Sequence, residues 1–254
     1  MLYVKSLGSG SFGKVDLYKK DSGEQVVVKR LKSKHQHRTQ NGYHMFKNES
    51  RILSTLIHPS IRRLYESTEY TMTLEYCEGI DMFDFLSAGE LEYEMIGHLF
   101  MQLVDAVHYL HSKNIAHLDI KLENIMIDPE TNKLTLIDFG HAIDYKYISK
   151  LGGTHPYIAP EGFFGNKIIA INADIWSLGI ILYELIHLSI PWEYSNEIDT
   201  SFKRYHLTDE IMLKKDLPEH FKLLLGKMLT IDPKTRITSD GLLKQMLDDK
   251  YSIY

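Results

Sequence analysis

A change of hydrophobic period near Glu78-Gly79 constrains this chain most: short strand-like runs precede it and long stretches of helical spacing follow it. The expected fold class is α+β, with a small antiparallel β-sheet lobe carrying one main helix and then a larger, mainly α-helical lobe. At 254 residues the chain is long enough for each lobe to bury its own core. Strands are expected at 3–7, 14–19 and 25–29, separated by glycine turns at 8–13 and at Asp21-Ser22-Gly23. Residues 32–42 are polar and basic, after which Phe46, Glu49, Leu53 and Leu56 recur at helical spacing until His58-Pro59. Strand-like runs at 61–65 and 70–76 complete the sheet. Beyond Gly79, Leu99, Leu103, Val107 and Leu110 mark a long amphipathic helix that Lys113-Asn114 terminates. Residues 175–188, 221–229 and 240–247 are further helix candidates, with a turn at Asp232-Pro233 before the last.

Composition narrows the partners. A 44% hydrophobic, 25% charged chain reads as soluble and globular. Its net charge of -5 argues against a nucleic-acid polyanion as main partner. The single cysteine, Cys77, excludes an internal disulfide framework and suits a reducing compartment. The apolar stretch 175–188 contains Glu184 and is too short to cross a bilayer, so no membrane association is expected. Met1 leads directly into a glycine-containing stretch with no basic-then-apolar run, so no secretory leader is expected, and cytoplasm or nucleus is the expected location.

The chemistry concentrates in His117-Leu118-Asp119-Ile120-Lys121-Leu122-Glu123-Asn124, followed by Asp138-Phe139-Gly140. Asp119 can accept a hydroxyl proton and Lys121 can neutralise a transferring phosphoryl group. Asn124 and Asp138 offer hard oxygen ligands to Mg²⁺. Upstream, the run from Gly8 through Gly10 and Gly13 to Val15 fits G-x-G-x-x-G-x-V, whose bare backbone N–H groups can approach phosphate closely. Alone it is equally a glycine hairpin. Followed by Val26-Val27-Val28-Lys29, it gains weight. Lys29 on a valine-rich strand requires an anionic partner if buried. Glu49 shares an inward helix face with Phe46 and Leu53 and suits that role better than Glu66 or Glu69.

These motifs, in this order from Gly8 to Arg236, resemble the catalytic domain of eukaryotic-type serine/threonine protein kinases, nearest in flavour to the calcium/calmodulin-dependent-kinase-like group. The resemblance implies one kinase domain over 1–254, with a small lobe at about 1–76, a hinge at about 75–81 and a large lobe at about 82–254. It implies ATP and Mg²⁺ as cofactors and protein serine or threonine hydroxyls as acceptors. The implied catalytic set is Asp119, Lys121, Asn124, Asp138, Lys29 and Glu49, with Asn124 and Asp138 as metal ligands. Nucleotide contacts would come from Leu7, Gly8, Gly10, Gly13, Val15, Val27, Lys29, the Glu75 carbonyl, the Cys77 N–H, Asp81 and Met126, with Leu74 as gatekeeper. His117 would be a packed structural residue, and Thr154 would hydrogen-bond Asp119 and Lys121. Asp174 would cap the backbone of the catalytic loop, and Arg236 would pair with Glu161 of Ala159-Pro160-Glu161.

Asp81, Glu123 and Glu184 align with acids that, in basophilic members, receive arginines upstream of the acceptor. Leu151 and Ile158 would line an apolar pocket for the residue after it. His35, His37 and His44 read as a solvated loop in preference to a metal site. No docking module is visible beside these motifs, so control is expected to be external or intrinsic. The alternative function is a pseudokinase or scaffold that binds partners through the same fold. Its usual signs, loss of the strand lysine, the catalytic aspartate or the metal aspartate, are not present. A small-molecule kinase is disfavoured by the complete segment from Asp138 to Glu161. One departure stands out: Leu118 sits where most members carry arginine, whose charge is commonly matched by a phosphate on that segment. Activity is therefore expected to need no phosphate on Tyr145, Tyr147 or Ser149.

Overall fold

The computed structural model describes residues 1–9, 13–31, 40–148, 150–164, 168–208, 211 and 213–248. Five antiparallel strands form the first sheet: β1 (Leu2–Ser9), β2 (Gly13–Lys19), β3 (Gln25–Leu31), β4 (Leu64–Ser67) and β5 (Thr71–Glu75), in the order β1-β2-β3-β5-β4. The run Val26-Val27-Val28 is buried because β3 lies at the centre of that order, paired with β2 and β5. Helix α1 (Gln40–Leu53) turns Phe46, Ile52 and Leu53 toward the interior. Gly13 opens β2 against β3 so closely that a Cβ there would lie 2.1 Å from the Arg30 carbonyl oxygen.

The large lobe follows a short strand β6 (Ile80–Asp81) and helix α2 (Met82–Leu86), which Asp81 caps by accepting the Asp84 N–H at 2.9 Å. Helix α3 (Tyr93–Ser112) buries Leu99, Phe100, Leu103 and Val107, and Asn114 ends it in the left-handed region at φ 58. Strands β7 (Ile125–Asp128) and β8 (Lys133–Leu136) join β6 in a second sheet. The segment that follows carries β9 (Tyr147–Ile148) and helix α4 (Glu161–Phe164), and β9 pairs with β10 (Ile168–Ile169). Helix α5 (Ala170–His187) is apolar nearly all round because it is the core helix. Gly179 lets it approach residues 228–229, where a Cβ would meet the Leu229 side chain at 2.7 Å. Helices α6 (Thr200–Thr208), α7 (Glu219–Met228) and α8 (Ser239–Leu247) close the lobe. Burying large side chains such as Trp176, Phe202 and Phe221 contributes about 1.5–3 kcal/mol each. Among the described residues, no helix is long and apolar enough to cross a membrane.

Three elements differ from the sequence expectation. The run at 61–65 is not a strand throughout, since Ile61 bridges Leu136 and the Arg62 N–H donates to the Leu136 carbonyl, so β4 starts only at Leu64. Helix α1 begins inside the polar stretch, at Gln40. Helix α6 was not legible from its own apolar spacing. Its start is fixed by Asp199, whose Oδ1 accepts the N–H groups of Ser201 (2.8 Å) and Phe202 (3.1 Å), and by Phe202 and Tyr205 packing on Trp192.

Candidate active site

The two sheets and α1 face one another across a cavity of about 550 Å³, a volume suited to a small-molecule cofactor. From β3, Lys29 reaches the Glu49 carboxylate of α1 at 2.6 Å and Asp138 at 3.5 Å. Burial works against the Lys29 ammonium, but the Glu49 and Asp138 charges outweigh it and its pKa is raised. Burial pushes the Glu49 carboxyl up, opposed chiefly by Lys29. Asp138 sits at φ 58 just past β8 with its side chain half exposed. Burial would raise its pKa, yet Lys29 and the Gly140 N–H hold it below the ordinary value.

Below the cavity, the fully buried Asp174 of α5 accepts the N–H groups of His117 and Leu118, both at 2.8 Å, and also meets His111 Nε2 at 3.0 Å. This holds Leu118 at φ 62, a left-handed conformation that costs a leucine about 1 kcal/mol. His117 is fully buried, with Nε2 3.1 Å from the Ile137 carbonyl and its ring edge-on to Phe139. Burial lowers its pKa, as a packed neutral imidazole requires. The loop therefore presents Asp119 in one orientation. Asn124 Nδ2 donates to the Asp119 carbonyl (2.8 Å) and to its Oδ2 (2.9 Å), and Thr154 Oγ1 donates to Oδ1 at 3.1 Å. Lys121 Nζ donates to Thr154 at 2.9 Å and lies 3.3 Å from Asp119 Oδ2. His141 Nδ1 stands 3.7 Å from the same oxygen. Further down, Arg236 clamps Glu161 through two bonds of 2.7 and 2.9 Å, fixing the end of the segment that carries Thr154.

A model of the protein kinase domain matches residues 2–252. This chain belongs to the protein kinase domain family. Serine/threonine protein kinases OSK3 and OSK4 of Oryza sativa subsp. indica, and OSK3 of subsp. japonica, are each 34% identical to it over 247 residues. That alignment covers 92% of this chain and 47% of each relative, so the chain spans about half the length of the curated relatives it matches. The kinase family implies ATP as substrate, typically with Mg²⁺.

The kinase cavity is lined by Leu7, Gly8, Val15, Val27, Lys29, Glu49, Leu74, Cys77, Asp81, Asn124, Met126 and Asp138. Gly13 and Glu75 stand apart from it: Gly13 serves the close β2–β3 approach, and the Glu75 side chain accepts the Arg63 N–H on the far side of the connection between the lobes. Gly10, His35, His37 and Ser149 lie outside the described residues. Asn124 spends both amide hydrogens on Asp119, and its Oδ1 makes no hydrogen bond among the described residues. Asp138 and Asn124 thus supply two hard oxygen donors, which fits Mg²⁺, an ion that keeps several waters and phosphate oxygens. No cluster of three or more His, Cys, Asp or Glu residues suited to a metal occurs among the described residues. Sequence reasoning missed Lys5, Arg62 and Gly79, which also line the cavity. Gly79 carries a signal, since its φ is 103 and a Cβ would lie 1.9 Å from the Ile127 carbonyl oxygen. Arg62 carries none, because nothing local distinguishes it from its neighbour Arg63.

Proposed function

We propose that this domain transfers the γ-phosphate of ATP to serine or threonine hydroxyls of proteins. The observation that carries the reading is Asn124, whose amide holds Asp119 while its oxygen is left for the cavity that Asp138 and Lys29 also line. Asp119 orients the acceptor hydroxyl and takes its proton, and Lys121 neutralises the transferring group. Lys29, braced by Glu49, holds phosphate oxygens, and the Gly8 loop approaches them through backbone N–H groups. Bound Mg²⁺ would supply charge neutralisation across the phosphates, held by Asp138 and Asn124. The connection at 75–81 takes adenine through the Glu75 carbonyl and the Cys77 N–H. The Thr154 bridge between Lys121 and Asp119 leaves the acceptor approach open to an alkyl hydroxyl.

The same reading makes the domain basophilic. Glu184 is buried on α5, bonded to the Tyr157 hydroxyl, and its Oε2 has no hydrogen-bond partner among the described residues. Burial, with a smaller contribution from Glu123, pushes its pKa up to about 7. An arginine laid between Glu123, Glu184 and Asp81 would relieve that repulsion. The apolar pocket expected around Leu151 and Ile158 has only about 10 Å³ of free space, so a following residue must displace side chains to enter.

Radiolabelled transfer from ATP to a generic basic peptide tests the proposal, with Asp119→Asn and Asp138→Asn as controls. Transfer by wild type and its loss in both variants is expected. Wild type that binds Mg-ATP and phosphorylates no tested acceptor would favour a scaffold, and transfer to lipids or sugars alone would favour a small-molecule kinase. A positional peptide library without upstream basic preference would reject the basophilic part.

A further inference from the structure

The deep wall of the nucleotide cavity carries a second cation. Arg62 lies between α1 and β4, where its N–H donates to the Leu136 carbonyl at 3.0 Å and its neighbour Ile61 bridges the same residue. This tie fixes Arg62 to the end of β8, two residues before Asp138. Its side chain lines the same cavity as Lys29, Glu49 and Asp138. Its Nε is buried and makes no hydrogen bond among the described residues. A buried guanidinium N–H without an acceptor is costly, and most such groups in folded proteins find a partner. Glu49 lines the same cavity and the Arg62 charge acts on its carboxylate in the same sense as Lys29, although no direct ion pair joins Arg62 to Glu49 among the described residues. Lys29 meanwhile divides itself between Glu49 and Asp138.

We propose that Arg62 is a positioning residue of the nucleotide site, sharing the Glu49 carboxylate with Lys29 so that Lys29 can follow the phosphate oxygens while α1 stays anchored. Lys29 alone faces two carboxylates, Glu49 and Asp138. Arg62 brings that wall to neutrality, which favours an anionic ligand. Its long cationic side chain carries several N–H donors, so it can serve Glu49 and still present one to the cavity, which a methionine or leucine of similar length cannot do. The inference rests on the nucleotide reading of the cavity given above.

The test is the dissociation constant of a fluorescent ATP analogue on the full chain, with and without Mg²⁺, together with KM for ATP and kcat. Arg62→Met is expected to raise Kd and KM on the order of tenfold while kcat changes less than about threefold. Arg62→Lys should recover most of that loss, because it restores charge without restoring shape. In a Lys29→Met background, Arg62→Met should weaken binding by a larger factor than in wild type, since Arg62 is then the remaining anchor of Glu49. Unchanged Kd in both backgrounds overturns the proposal, as does a loss that Arg62→Lys leaves in place, which would mean packing alone. Should Arg62→Met fail to fold, Arg62→Gln, closer in shape and uncharged, takes its place in the same comparison. Wild type that binds no nucleotide would overturn the parent reading as well. Wild-type binding that is indifferent to Arg62 overturns this inference alone.

Discussion

The two sides of the active cleft are built from different physics. On the nucleotide side, Lys29, Glu49 and Asp138 form a charged chain in which each buried group is tolerated because an opposite charge stands beside it. On the acceptor side, the stretch around residues 151–158 packs through neutral contacts, and charge enters at Lys121 beside Thr154 and at the Arg236–Glu161 pair that closes the end of the segment. Leu118 packs among Leu151, Tyr157 and Ile158, and Ser177 Oγ donates to the Tyr157 carbonyl at 3.0 Å. The Ser195 hydroxyl likewise bonds the Ile158 carbonyl. Asp119 sits at the seam, with Asn124 on one flank and Thr154 on the other. On the proposed reading, a charged wall recognises a charged ligand, whereas a platform held mainly by packing fixes an acceptor without a charge of its own.

The largest expected effects separate the two sides kinetically. Asp119→Asn removes the proton acceptor and should lower kcat by roughly 10²–10⁴-fold while leaving nucleotide affinity nearly intact. Lys29→Met should act on both KM for ATP and kcat, because it strips the proposed phosphate contact and removes the cation that stands 2.6 Å from Glu49. Steady-state kinetics with varied ATP checks both. If Asp119→Asn weakened nucleotide binding as strongly as Lys29→Met, the division between sides would collapse.

Much of this division was legible in the sequence, for identifiable reasons. Lys29, Glu49, Asp119, Asn124 and Asp138 stand in short motifs where a chemical demand and a local conformation coincide, so residue type and spacing placed them together. The sheet and the long helices were likewise legible from their periods. What failed depends on contacts distant in sequence. Ile61 and Arg62 have strand-like surroundings in the sequence, yet they are pinned to Leu136 across the lobe boundary. Arg62 therefore faces the cavity for a reason that lies 74 residues downstream, at the end of β8. Gly13 and Glu75 illustrate the reverse: their motif positions suggest ligand contact, yet neither lines the cavity, Gly13 sitting in the close β2–β3 approach and the Glu75 side chain, as distinct from the carbonyl proposed for adenine, accepting the Arg63 N–H.

A smaller effect contrasts two buried acids. Glu49 has a cation at 2.6 Å, whereas Glu184 has the Tyr157 hydroxyl as its one hydrogen-bond partner among the described residues. With its pKa raised from 4.5 to about 7, folded Glu184 keeps a proton that the unfolded chain releases. Stability from this group is complete below about pH 4.5 and falls as pH rises toward 7, by up to about 3 kcal/mol. Glu184→Gln, which can still accept from Tyr157, should remove that slope and exceed wild type in stability at about pH 8. Urea denaturation at two pH values measures it. A wild-type slope that survives in Glu184→Gln would show that another group carries it.

Next in size is the seam itself. Thr154→Ala deletes the hydroxyl that links Lys121 to Asp119 and should cost on the order of tenfold in kcat, a loss of one or two hydrogen bonds to charged groups. Thr154→Ser should keep most of the rate, since it retains the hydroxyl. Equal losses in the two variants would assign the effect to packing of the threonine methyl.

The smallest expected effect sharpens the comparison most. Where arginine stands before the catalytic aspartate, a phosphate on the segment can neutralise it. Leu118 offers no charge, and its side chain already contributes to a nearly closed apolar contact with Leu151 and Ile158. Gly153, at φ 127, lets the segment pass close to the Leu118 carbonyl oxygen, which a Cβ would meet at 3.2 Å. Arg51, which approaches from α1, is engaged by Asp144 at 2.8 Å. Tyr145 is exposed and open to modification, yet a phosphate there would find the Leu118 position uncharged. Complete phosphatase treatment should accordingly change kcat by no more than about twofold, the range of an ordinary surface perturbation. A large loss that a kinase restores would mean that a phosphate charge organises the Leu118 contact as well, and the contrast between the two walls of the cleft would disappear.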